Sequence, residues 1–396
     1  MRALCLLLLL AACDDRHYAL GTLPPTGGGS GQGQPPPPID GTGGTTTVSE
    51  PMIPGCAVPN VPTPDRQVNL PAQVLAERLA RFLWSNDPDA DLVARAAAAG
   101  TTLRVQLLAS AMTTDPRFAG GVDALAREWL GTEAAISAPG GEEVKGEVDA
   151  YLRKSMTTET FTFVRDLFAA GDGRLSTLLL SPQAFIDDRL AQVYGVPAPA
   201  TSFGRVTLDQ AQRSGILTQA SFLFSKPRIS GRGNWVRTRL LCQEIPPPPP
   251  PQDTVPIVHG PGQTERQALE GSITTNPGCQ ACHTLIDPIG FAFDHYDALG
   301  RWHEADNGKP IDATGSITLE SGPIHYDGAR QLGERLLGSC ELYRCVVQAY
   351  LQRALGSPGA GSASDRAELL WAFVDSGLDL RALFTRVAAS PSFLAP

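Results

Sequence analysis

The chain lacks an excess of basic residues: 32 Lys and Arg stand against 41 Asp and Glu in 396 residues, a formal net charge of −9. Phosphate backbones demand clustered Lys and Arg, so nucleic acid is not an expected partner. No apolar run reaches the roughly 18–20 residues of a membrane span; the longest, in MRALCLLLLLAA, is about ten residues long. No Ser-His-Asp, HExxH or phosphate-loop signature occurs, which argues against a self-contained hydrolase or nucleotide enzyme and leaves no catalytic residue to assign. No repeat of fixed period is present. Eight cysteines are too few for a disulfide-dense scaffold, yet they are grouped too unevenly to be incidental.

What is abundant is local. Residues 21–64 hold 10 of the 40 Gly and 11 of the 34 Pro, with few apolar side chains to offset ordering entropy. Residues 1–12 have one positive charge followed by a short apolar run, the pattern of a secretory signal. The tetrapeptide Leu10, Ala11, Ala12, Cys13 resembles the lipobox of bacterial lipoprotein precursors. That resemblance implies cleavage before Cys13, which leaves it N-terminal and acylated, and an exported protein held on a membrane at the periplasmic face or cell surface. Residues 13–66 then read as a disordered tether with a reach of roughly 40 Å.

From residue 69 the apolar spacing becomes helical. Helices are expected near 70–84, 88–99, 101–111, 121–130, 142–169, 182–193, 209–224 and 233–243, giving a helical domain over 67–245. Pro246 to Pro251 must be extended polyproline and mark a spacer over 246–262. The domain at 263–396 opens with a helix at 263–272. An irregular Gly-, Asp- and Pro-rich stretch over 276–328 follows, with short strands at 309–325, and then helices at 329–338, 341–355, 364–376 and 379–389. The fold class is mainly α, with a small β-hairpin insert.

One motif carries chemistry. Residues 279–283 read Cys-Gln-Ala-Cys-His, the C-x-x-C-H of covalent haem c attachment, which composition alone would produce about 0.002 times per chain. Cys279 and Cys282 are spaced to add to two vinyl groups of one haem, and His283 is placed to reach its iron. A zinc site, a thioredoxin-like redox pair and a plain Cys279–Cys282 disulfide are the rival readings. No methionine follows Met156, so a downstream Met cannot be the second iron ligand. His295, His303 and His325 are the downstream candidates; Met112 and Met156 are upstream ones. Leu285, Ile286, Ile289, Phe291, Phe293 and Tyr296 would wall a haem pocket. The Pro288 carbonyl is expected to accept the His283 Nδ1 proton, and Arg301 and Trp302 to meet the propionates. With Cys5 in the signal, Cys56, Cys242, Cys340 and Cys345 remain. Four cysteines allow three connectivities, of which Cys242–Cys345 with Cys56–Cys340 is favoured by position.

The stretches TFVRDLFAAGDGRLSTLLLSPQAFIDDRLAQVYGV, RSGILTQASFLFS, NPGCQACHTLIDPIGFAFDHYDALGRW and CVVQAYLQRALG resemble a family of exported bacterial proteins of unknown function with a cytochrome c-like CxxCH region. The resemblance spans about residues 142–394 and implies a c-type haem protein of unassigned reaction. The expected function is a membrane-tethered monohaem electron carrier whose acidic surface meets redox partner proteins. The alternatives are a haem peroxidase or dehydrogenase component, or a structural lipoprotein in which the motif is only a clip.

Overall fold

The computed structural model describes residues 64–138, 140–141, 144, 146–246, 260–275, 277–357 and 359–396. The signal, Cys13, nearly all of the tether, Cys56 and most of the polyproline run lie outside them. Four helices open the described chain: α1 (Ala72–Trp84), α2 (Ala90–Ala98), α3 (Thr102–Met112) and α4 (Phe118–Leu125), which continues into a π turn at Ala126–Leu130. Then come α5 (Ala134–Ser137), α6 (Ala150–Ala169), α7 (Leu175–Leu180), β1 (Gln183–Ile186), α8 (Asp188–Tyr194), β2 (Gly204–Thr207), α9 (Ala220–Ser225) and α10 (Ile229–Trp235). The second half holds α11 (Glu265–Thr275), α12 (Pro277–Gly290), the small strands β3 (Ala305–Asp306) and β4 (Lys309–Pro310), and a hairpin of β5 (Thr314–Leu319) and β6 (Gly322–Asp327). It ends with α13 (Gly328–Leu336), α14 (Cys340–Leu355), α15 (Ala363–Asp375), α16 (Leu380–Ala388) and α17 (Pro391–Leu394). The fold is mainly α, with antiparallel strand pairs only among the described residues.

Side-chain caps set about half of the helix starts. Asp89, Asp149 and Asp187 each accept the backbone N–H three residues on, and Ser362 forms a reciprocal capping box with Asp365. These caps explain two departures from expectation. The helix expected at 142–169 begins only at Ala150, after Asp149. The one expected at 182–193 is split at Asp187, because Gln183–Ile186 pair antiparallel with Gly204–Thr207, a partner that lies too far along the chain for local periodicity to reveal. A third departure lies at 209–224, which is a turn, a 3₁₀ segment at Gly215–Thr218 and the short α9. Gly215 has φ +49°, and a side chain there would lie 2.1 Å from the Leu178 carbonyl oxygen, so no continuous helix passes.

The apolar core crosses the 246–262 boundary without a break, joining Leu75 and Leu83 near one end of the chain to Val387 and Phe393 near the other. At its centre the fully buried Phe384 ring lies 5.2 Å from Phe82, 5.0 Å from Phe118, 5.8 Å from Phe168 and 4.8 Å from Tyr350. These separations are typical of aromatic pairs that add to simple burial. Arg78 of α1 donates to the Phe393 carbonyl at 2.7 Å. The expected Cys242–Cys345 bridge is present, tying the end of the α10 segment to α14. Cys340 is also disulfide-bonded, and the other half of its expected pair with Cys56 lies outside the described residues.

A buried polar cluster links the halves. Glu159 is fully buried with both carboxyl oxygens 2.7–2.8 Å from the Tyr194 hydroxyl, which accepts the Ala220 N–H. Burial pushes the Glu159 carboxyl up to about 8. The buried Arg213 guanidinium lies 4.5 Å from the Tyr194 ring and 5.3 Å from that of Tyr296.

Candidate functional site

The Cys-Gln-Ala-Cys-His motif lies on α12, within a stretch expected to be irregular. Proline at the first helical position is tolerated because its missing N–H has no intrahelical partner anyway. Helical geometry places positions three and four apart on one face, so Cys279, Cys282 and His283 share a side. Among the described residues, the free cysteines are Cys279 and Cys282, both half-buried. The Cys282 thiol donates to the Pro246 carbonyl at 3.1 Å, and burial, with the neighbouring Cys279, pushes its pKa up.

His283 is 9% exposed, and its Nδ1 lies 2.9 Å from Oδ2 of Asp287, one helical turn on. Ser230 Oγ of α10 is 3.4 Å from the same nitrogen. Asp287 is 2% exposed, and its other oxygen, Oδ1, has no hydrogen-bond partner among the described residues. The Pro288 carbonyl expected in this role is instead taken by the Tyr326 hydroxyl at 2.9 Å. That corrects the assignment of Pro288: the helix turns residue 287, not the 288 carbonyl, toward His283.

The α10–α12 crossing holds the motif. A side chain on Gly233 would sit 1.8 Å from the Ile286 carbonyl oxygen, and one on Gly290 would sit 2.2 Å from that of Ile229. Two glycines therefore let the backbones approach closely, and Arg237 Nε adds a bond to the Leu285 carbonyl at 2.7 Å. The segment after α12 is clamped by the buried Arg232, which donates to the carbonyls of Lys226, Phe293, Tyr296 and Asp297 at 2.7–2.9 Å.

The remaining expected residues have these placements. Phe291 is buried with Ile229 and Leu269, under the Arg266 guanidinium at 4.2 Å. Arg301 pairs with Asp297 at 2.6 Å and Glu147 at 2.7 Å, so its charge is already balanced by carboxylates. Trp302 stacks on the His295 ring at 4.2 Å and donates to Glu304. His295 Nδ1 lies 2.8 Å from the His303 carbonyl oxygen, and burial pushes the His303 pKa down. His325 lies on the exposed side of β6, in a polar groove with Arg266 and Arg335. Met112 and Met156 are buried in two different apolar clusters. Among the described residues, no three or more His, Cys, Asp or Glu side chains gather as an ion-holding group.

Sequence reasoning missed Asp287, Ser230, Arg232 and Arg237. The signal for Asp287 was the i, i+4 spacing from His283, which has meaning only if the stretch is helical.

What fold and site define is a mainly helical protein presenting a free dithiol and a carboxylate-held histidine on one helix. Residues 213–306 match the family PSCyt3, described as a protein of unknown function (DUF1588), and residues 70–196 match PSD4, a protein of unknown function (DUF1592). Two stretches of the chain are thus similar to families of unknown function. No curated protein and no solved structure matches the chain. Among the described residues no helix is long and apolar enough to cross a membrane.

Proposed function

We propose that the protein is an exported, membrane-tethered monohaem c-type cytochrome that passes electrons between partner proteins. The observation that carries this reading is the state of the cysteines. Cys242, Cys345 and Cys340 are oxidised, whereas Cys279 and Cys282 are free and share a helix face with His283. Two unpaired thiols beside a histidine are the donor set that thioether attachment requires, and in this sense the residues fit the group. When bound, haem c supplies one-electron chemistry at its iron. Cys279 and Cys282 would hold it covalently, His283 would be the protein ligand, and Asp287 and Ser230 would fix the imidazole. Export and anchoring through Cys13 rest on the sequence of residues 1–13.

The test is expression with and without c-type maturation machinery, followed by a pyridine haemochrome spectrum of the denatured protein. Covalent haem that disappears in Cys279→Ser with Cys282→Ser is the expected outcome; no covalent haem in the matured wild type ends the reading.

A further inference from the structure

Asp287 occupies an awkward place for a carboxylate with only a structural duty. It lies three residues from the end of α12, where the helix dipole disfavours negative charge. It is 2% exposed, Oδ1 is without a hydrogen-bond partner among the described residues, and Oδ2 is 2.9 Å from His283 Nδ1. Removing a carboxylate from water and leaving half of its acceptor capacity unused is costly unless its charge is directed at something. Its hydrogen-bonded charge partner is the His283 ring.

We propose that Asp287 is a positioning residue for His283: it holds the proton on Nδ1, which makes Nε2 the ligating atom, and enriches the imidazole in electron density. The inference rests on the haem c reading and adds to it the regulation of that site's redox poise. A carboxylate partner gives the imidazole part of an imidazolate's character, unlike a neutral backbone carbonyl, and a more basic ligand favours the ferric state. The site is therefore set to a low reduction potential. Ser230, at 3.4 Å, is a weaker competitor for the same proton.

The experiment compares the matured full-length protein with Asp287→Asn and Asp287→Glu. Haem content is read by pyridine haemochrome and potential by spectroelectrochemical titration. Asp287→Asn keeps shape but removes charge, and is expected to retain haem while its potential rises. At fixed solution potential, its ferric-to-ferrous ratio should fall about tenfold or more. Asp287→Glu is expected to restore part of the low potential. Covalent haem in both proteins with unchanged potential overturns the inference alone, whereas no covalent haem in the wild type overturns the reading beneath it as well. Should Asp287→Asn fail to fold, the haem-free wild type decides by itself through its His283 ring ¹⁵N resonances above the imidazole titration range. An Nδ1–H tautomer is expected, and an Nε2–H tautomer overturns the proposal.

Discussion

Gly233→Ala isolates the close crossing that supports the motif helix. The added Cβ would lie 1.8 Å from the Ile286 carbonyl oxygen, 2.7 Å from its carbon and 2.9 Å from the Gly290 nitrogen. All three are backbone atoms of α12, so no rotamer change relieves the clash. Ordinary contact begins near 3.4 Å, and α10 and α12 would have to part by roughly 1.5 Å at this point. Overpacking costs typically about 1–3 kcal/mol, and a backbone obstacle belongs at the upper end. Alanine recovers about 1 kcal/mol of helix propensity, leaving a net loss of about 2 kcal/mol. Gly231, two residues earlier on α10, is the control: a Cβ there meets nothing nearer than 3.8 Å, so Gly231→Ala should gain up to about 1 kcal/mol. The same substitution, two positions apart, is thus expected to shift stability in opposite directions with a spread of about 3 kcal/mol. Urea denaturation followed by far-ultraviolet circular dichroism measures both midpoints. The reasoning fails if Gly233→Ala unfolds at or above the wild-type midpoint, or if both variants shift together.

Three further outcomes follow from the packing. Replacing Cys242 and Cys345 by serine opens a loop of 103 residues and should cost about 4 kcal/mol, read as a lower urea midpoint; an unchanged midpoint refutes a stabilising role for the bridge. Glu159 keeps its proton to about pH 8 when folded, whereas an unfolded carboxyl loses it near 4.5. Its contribution is therefore complete below about 4.5 and is lost as pH rises toward 8, by about 1.4 kcal/mol per pH unit. Glu159→Gln should remove that slope, and parallel stability curves for variant and wild type between pH 5 and 8 refute it. Arg232→Lys replaces a planar fork by a single point donor facing four carbonyls, and unsatisfied carbonyls at about 1–3 kcal/mol each should make it strongly destabilising in thermal melts. Wild-type melting would show that the fork is not needed.

The helical class, most element positions and the Cys242–Cys345 pair were legible because they depend on local periodicity and on a small number of cysteines. Asp89, Ser339 and Ser362 cap helices whose starts the expected ranges place within two residues. β1 was not legible, since what makes Gln183–Ile186 a strand is Gly204–Thr207 rather than its own composition. The motif itself was plain, but its surroundings were misread. Gly278, Pro288 and Gly290 read as loop punctuation, whereas Gly290 exists to admit α10 and Pro288 is accommodated near the helix end. Once α12 is a helix, Asp287 falls under His283 by arithmetic; as a loop, the same sequence offered only the nearest carbonyl. Arg301 illustrates the opposite limit. Its charge suggested an anionic ligand, and Asp297 and Glu147 had already met that need.

The bond from Arg78 to the Phe393 carbonyl spans 315 positions of sequence, and the Phe384 hub draws on helices from both ends of the chain. Contacts of such separation are slow to find and are closed last. A chain emerging from its N-terminus therefore reaches α12 while its first helices still lack the residues that seal them. During that interval Cys279 and Cys282 belong to an unfinished protein, and the core around them has yet to set.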